Sequence, residues 1–95
     1  MRVILLPAAR DDLRAIWRFG LEHWSMPQAD RYSGALDAAI ESLANDPERA
    51  ARFPGAGRGY RRLIAGSHAV NFRIEGEAVI VVRVLHQSAR AKGWV

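Results

Sequence analysis

The chain has 95 residues, 49% hydrophobic and 25% charged, with Lys+Arg 14 against Asp+Glu 10 and a net charge of +4. That length gives one domain, residues 1–95, and leaves no room for a second core; the apolar content excludes intrinsic disorder. The chain has no cysteine, which excludes disulfide frameworks and thiolate metal centres and fits a reducing cytoplasm, and no apolar run approaches the ~18 residues of a membrane span.

The elements follow in chain order. Arg2 to Leu6 is a short apolar run and reads as a first strand. Pro7 suits the first turn of a helix, and Asp11 and Asp12 lie early enough to favour its positive end. Ala9, Leu13, Ile16, Trp17, Gly20 and Trp24 recur at spacings of three and four, so the first helix covers Pro7 to Trp24. Both tryptophans are expected in the core. Ser25-Met26-Pro27-Gln28 has the form of a capping box. A second helix then carries Ala29, Tyr32, Leu36, Ala39, Ile40 and Leu43 on one face and ends near Asn45-Asp46-Pro47, because the residue before proline avoids the helical region. The pair makes an antiparallel αα-hairpin.

Pro47 to Gly59 reads as an irregular connector, and Arg61 to Ala65 as a strand that turns at Ala65-Gly66-Ser67. His68, Val70, Phe72 and Ile74 alternate with Ala69, Asn71, Arg73 and Glu75, the period of a half-buried strand. After a turn at Glu75-Gly76-Glu77, Ala78 to Leu85 is nearly all apolar, as in a central strand buried on both faces. On plain alternation, Arg83 shares a face with Val79, Val81 and Leu85, and His86 lies opposite. The order is β-α-α-β-β-β. This is an α+β fold with the αα-hairpin packed on a small, mostly antiparallel sheet.

The chemistry-bearing residues gather in the last third. Of the 14 basic residues all but Lys92 are arginine, which suits bidentate pairing with carboxylate or phosphate. Tyr60-Arg61-Arg62 fits RNA stacking, an acidic partner segment or a solvated edge. Arg83 in an apolar strand must be paired or reach solvent: it either contacts a partner or pairs with a helix carboxylate such as Asp12. His68 and His86 are either backbone-bonded histidines or general bases acting on an RNA 2′-hydroxyl, with Arg61 or Arg62 stabilising the phosphorane. Arg90, Lys92 and Trp94 alternate, so an extended tail puts two cations and an aromatic on one side. Trp94 either packs back on the domain or is kept for a partner. No metal-ligand spacing is present, and Gly55 to Gly59 lacks the Lys-Ser/Thr of a phosphate-binding loop, so no cofactor is expected.

From end to end the chain resembles the ParE branch of the ParE/RelE toxin superfamily. The resemblance rests on Pro7-Ala8-Ala9 with Asp12-Leu13 and Ile16-Trp17, on Trp24, Gln28-Ala29 and Tyr32, and on Leu43-Ala44 and Pro47. Its most specific blocks are Gly59-Tyr60-Arg61-Arg62, Gly66-Ser67-His68 and Arg83-Val84-Leu85-His86-Gln87. The resemblance implies the toxin of a type II toxin–antitoxin pair, held inactive by a ParD-like antitoxin and poisoning DNA gyrase by binding rather than by catalysis. The antitoxin or target surface is then expected at Tyr60, Arg61, Arg62, Arg73, Arg83, His86, Arg90, Lys92 and Trp94. One alternative is the activity of RelE-like relatives, ribosome-dependent mRNA cleavage, using His68, Arg83 or His86 with Arg61. Another is an inactive remnant that only binds antitoxin. The chain departs from the family at Leu6, where a serine usually caps the first helix, and in the tail, which lacks the Met-Asp step after His86-Gln87.

Overall fold

The computed structural model describes residues 1–54, 57 and 59–89. Strand β1 (Arg2–Leu5) leads into helices α1 (Pro7–His23) and α2 (Met26–Ser42). A 3₁₀ turn (Pro47–Arg49) follows, then β2 (Ala51–Arg52), β3 (Tyr60–Ala65), β4 (His68–Glu75) and β5 (Ala78–His86). These strands form one sheet in the order β1-β5-β4-β3-β2. Only the β1–β5 pairing is parallel. The expected α+β architecture is present, with one addition. The connector after Pro47 is not wholly irregular, because Ala51 and Arg52 pair with Arg62 and Arg61 as a two-residue edge strand.

Both helix starts follow from their local sequence. Leu6 offers no side-chain cap to α1, and Pro7 opens the helix. At α2 the Ser25 hydroxyl accepts from the Gln28 amide at 3.3 Å, satisfying one otherwise orphaned donor of the first turn. Ser25→Ala is expected to lower the unfolding free energy by about 1 kcal/mol, and urea denaturation with an unchanged m-value is the check.

The core lies between the hairpin and one face of the sheet. Ala9, Ile40 and Leu43 from the helices meet Val70, Phe72, Val79, Val81 and Val84. The switch from odd to even positions on β5 has a cause. Asn71 pairs with Arg83 and Phe72 with Val81, which leaves Val82 as an extra residue, a β-bulge. The bulge shifts the phase of alternation, so Val84 and His86 fall on the helix face beside Val81. Arg83 therefore does not share the Val79/Val81 face, as simple alternation had it, although it does lie opposite His86.

Two expectations for α1 also change. Asp11 and Asp12 lie beyond its first turn, and the Asp12 carboxylate points to the sheet instead. Trp17 and Trp24 are not core residues, being 40% and 38% exposed. The hairpin closes at Gly20, where an added Cβ would sit 2.9 Å from the Cβ of Ala29. So close an approach puts the helix backbones together and leaves Trp17 and Trp24 on the flanks, where Trp17 Nε1 donates to Asp30 at 2.9 Å.

Candidate functional site

The expected site residues separate into three groups. The first lies at the β2–β3–β4 end of the sheet, where Arg52, Tyr60, Arg61 and Ile74 line an open cleft of about 760 Å³. Arg61 there spends one nitrogen on the carbonyls of Glu48 and Ala50, at 3.2 and 2.9 Å, which ties the connector to β3. Arg73 donates to Glu75 at 2.8 Å and to the Tyr60 hydroxyl at 3.5 Å. The Glu75 bond in particular raises the guanidinium pKa. Arg62 lies over the Phe53 ring, 5.0 Å from its centroid, and donates to the Gln87 carbonyl.

The second group is a single ion pair. Beyond Leu5 the β1 side of β5 has no strand neighbour among the described residues, since pairing stops at Leu5 and Val81. Asp12 of α1 fills that gap. Its carboxylate accepts from Arg83 Nε at 2.7 Å, Arg83 Nη2 at 2.9 Å and the backbone N–H of Val84 at 2.9 Å. The bidentate bond raises the Arg83 pKa. Of the two sequence readings of Arg83, the pairing with a helix carboxylate is the one that holds.

The third group lies at the other end of the sheet. His68 and His86 are cross-strand partners, with ring centroids 5.9 Å apart. Tyr32 of α2 reaches across to them. Its hydroxyl accepts from the Ser67 amide at 3.0 Å and lies 2.6 Å from His68 Nδ1. Trp24 stands edge-on to Tyr32 at 5.6 Å, and Phe19 edge-on to Trp24 at 6.1 Å. These rings, with Ala15, Ile16 and Ser67, line an open cleft of about 450 Å³. Burial lowers the His68 pKa, and the neighbouring His86 lowers it further.

This group is only partly legible in the sequence. His86 and His68 were singled out, but Tyr32 was assigned to the apolar stripe of its helix. A tyrosine on such a stripe has a hydroxyl that needs a partner, and that was the available signal. Gly66 supplies the rest: its φ is +61°, and an added Cβ would lie 2.8 Å from the Tyr32 ring. The candidates Arg90, Lys92 and Trp94 lie outside the described residues.

The geometry offers two open clefts, one lined by Arg52 and Arg61 and one lined by aromatic rings. It does not bring Arg61 to the histidines, because Arg61 pairs with Phe72 while His68 pairs with Ala65 at the far end of β3. Among the described residues no group of three or more His, Cys, Asp or Glu side chains is placed to hold a metal ion, and no helix is long and apolar enough to cross a membrane.

A family model described as the ParE toxin of the type II toxin–antitoxin system parDE matches residues 3–90. The Toxin ParE1 of Mycobacterium tuberculosis is 41% identical over 87 residues, covering 90% of this chain and 89% of that protein. The Toxin ParE1 of Caulobacter vibrioides is 39% identical over 84 residues, covering 88% and 86%. A solved structure described as a chromosomal ParDE TA system from P. aeruginosa superposes with a TM-score of 0.80. It covers 90% of this chain and 95% of its own at 19% identity, a likeness of fold.

Proposed function

The chain belongs to the ParE toxin family of type II toxin–antitoxin systems, and from that premise we propose that it stops growth by binding DNA gyrase and is neutralised by a ParD-like antitoxin. The observation that carries the binding reading is the fate of the arginines. Cleavage of RNA by His68 or His86 requires a cation at the phosphorane. Arg83 is held by Asp12, and Arg61 is at the other end of β3, bonded to backbone carbonyls. Arg62, on the sheet face opposite the histidines, lies over the Phe53 ring and donates to the Gln87 carbonyl. The histidines instead border an open aromatic cleft. Exposed aromatic surface on a small domain suits a protein partner. Arg62 and Arg73 on one face of the sheet, and Arg61 on the other, supply cations that complement an acidic segment. Arg90, Lys92 and Trp94 extend the contact to the target.

The test is controlled induction in cells, with gyrase-linked DNA breaks and mRNA cleavage read in parallel. The expected result is DNA breaks with intact message. Message cut at the ribosome without breaks replaces this reading with the ribonuclease one, and growth without either leaves the protein as an antitoxin-binding remnant.

A further inference from the structure

Resting on the reading that a ParD-like antitoxin docks here, we propose that His68 and His86 form a carboxylate seat for an Asp or Glu side chain of the antitoxin's docking segment, and that docking takes up a proton. The hydrogen bonds around the two rings fix the His86 tautomer and favour the matching one for His68. The Tyr32 hydroxyl accepts from the Ser67 amide and still has its own proton to give to His68 Nδ1, 2.6 Å away. The Ser88 amide can only donate, and it donates to His86 Nδ1 at 3.2 Å, with the Ser88 hydroxyl 2.8 Å from the same atom. With each Nδ1 accepting in this way, each neutral ring carries its proton on Nε2. Among the described residues neither Nε2 has an acceptor. Two neighbouring imidazole N–H donors on one sheet face are left for a ligand.

The surroundings select its charge. α1 contributes Ala15, Ile16 and Phe19 to the cleft, the turn contributes Trp24, and α2 contributes Tyr32. β3 presents Ala65 to His68. Of the groups around the pair, His23 is stacked on Phe19 at 4.0 Å; among ionisable groups only His86 acts electrostatically on His68. Among the described residues no carboxylate faces the rings to balance a second proton. In the free protein His68 therefore resists protonation, and the fold loses stability as pH falls below ~6.5 and through the lowered His68 value. A carboxylate lodged between the rings reverses that sign. It holds at least one imidazolium by charge-assisted bonds, which are stronger than neutral ones, in a cleft walled by apolar rings. Phe19 and Trp24, 52% and 38% exposed, continue the cleft outward. Flanking apolar side chains of a peptide would cover them, whereas a free anion would not, and this argues for a protein segment as the source of the carboxylate.

Calorimetric titration of the whole toxin with the antitoxin encoded by the adjoining reading frame, at pH 7 in buffers of different ionisation enthalpy, counts the protons taken up. Uptake of roughly 0.5–1 proton is expected, with affinity weakening up to about tenfold per pH unit above neutrality. His86→Gln keeps a neutral donor on an exposed site, so it folds, and it should cut the uptake by more than half; His68→Gln combined with it should abolish the uptake. One acidic-to-amide change in the antitoxin should do the same. Binding without proton uptake, or uptake that survives in the double variant, overturns the seat while leaving the antitoxin reading intact. No binding at all overturns the antitoxin reading and the seat with it.

Discussion

Asp12→Ala should lower the unfolding free energy by about 3 kcal/mol and the melting temperature by roughly 12–24 °C. Three bonds converge on this carboxylate, two from Arg83 and one from the Val84 amide. The side chains retain 29% exposure for Arg83 and 13% for Asp12. The pair is therefore less costly to break than a fully buried one, which sets the figure at the low end of the ~3–5 kcal/mol range. Removing Asp12 strands a half-buried cation and leaves an edge N–H without its acceptor. Two further variants separate these parts. Asp12→Asn restores an acceptor but no charge, and should recover part of the loss. Asp12→Leu combined with Arg83→Met removes both charges, and should be more stable than Asp12→Ala alone. Thermal and urea unfolding of the set decide the matter; an Asp12→Ala loss below 1 kcal/mol would mean the contact does not anchor α1 to β5.

That ion pair was legible in the sequence as one of two readings of Arg83, because a guanidinium in an apolar strand has few options. The alternating stretch from His68 and the apolar run from Ala78 gave β4 and β5 directly, and Ser25 announced α2. What was not legible has specific causes. Ala51–Arg52 is too short for any period and is a strand only because β3 lies beside it. The bulge at Val82 is silent in a run that is apolar on both faces. Helical spacing placed Trp17 and Trp24 on the apolar stripe, but the width of the buried stripe depends on how closely α2 approaches, and that is set by Gly20 against Ala29. The Tyr32–His68 bond joins residues 36 apart, beyond the reach of any local pattern.

Gly66→Val is the second change expected to act strongly, at about 3 kcal/mol. Gly66 turns the chain between β3 and β4 at a φ of +61°. A side chain there costs ~1–2 kcal/mol in the left-handed region. The added carbon would also sit 2.8 Å from the Tyr32 ring and hydroxyl, which either displaces that ring or strains the turn further, at about 1–3 kcal/mol. Gly76 is a built-in control. It turns the next hairpin at +55°, with nothing within 4 Å of an added Cβ, so Gly76→Val should carry the backbone cost alone. Comparing the two by thermal unfolding isolates the Tyr32 contact. Equal losses would show that the ring yields freely and that Gly66 does not position it.

The parallel pairing of β1 with β5 has a consequence in time. Arg2 is registered to Ala78 and Leu5 to Val81, so strands about four fifths of the chain apart meet side by side, and among the described residues β5 alone links β1 to the rest of the sheet. Local elements such as the helical hairpin form early at little entropic cost, whereas a contact of this separation waits for a large loop to close. During synthesis the first strand must stay unpaired until β5 has emerged. The Asp12–Arg83 clasp, which joins α1 to β5, can close only then, whereas the Tyr32–His68 bond waits only for β4. A nascent chain cut short before β5 therefore has neither a closed sheet nor the His68–His86 pair that borders the aromatic cleft, so the fold holds back both until its last strand has been made.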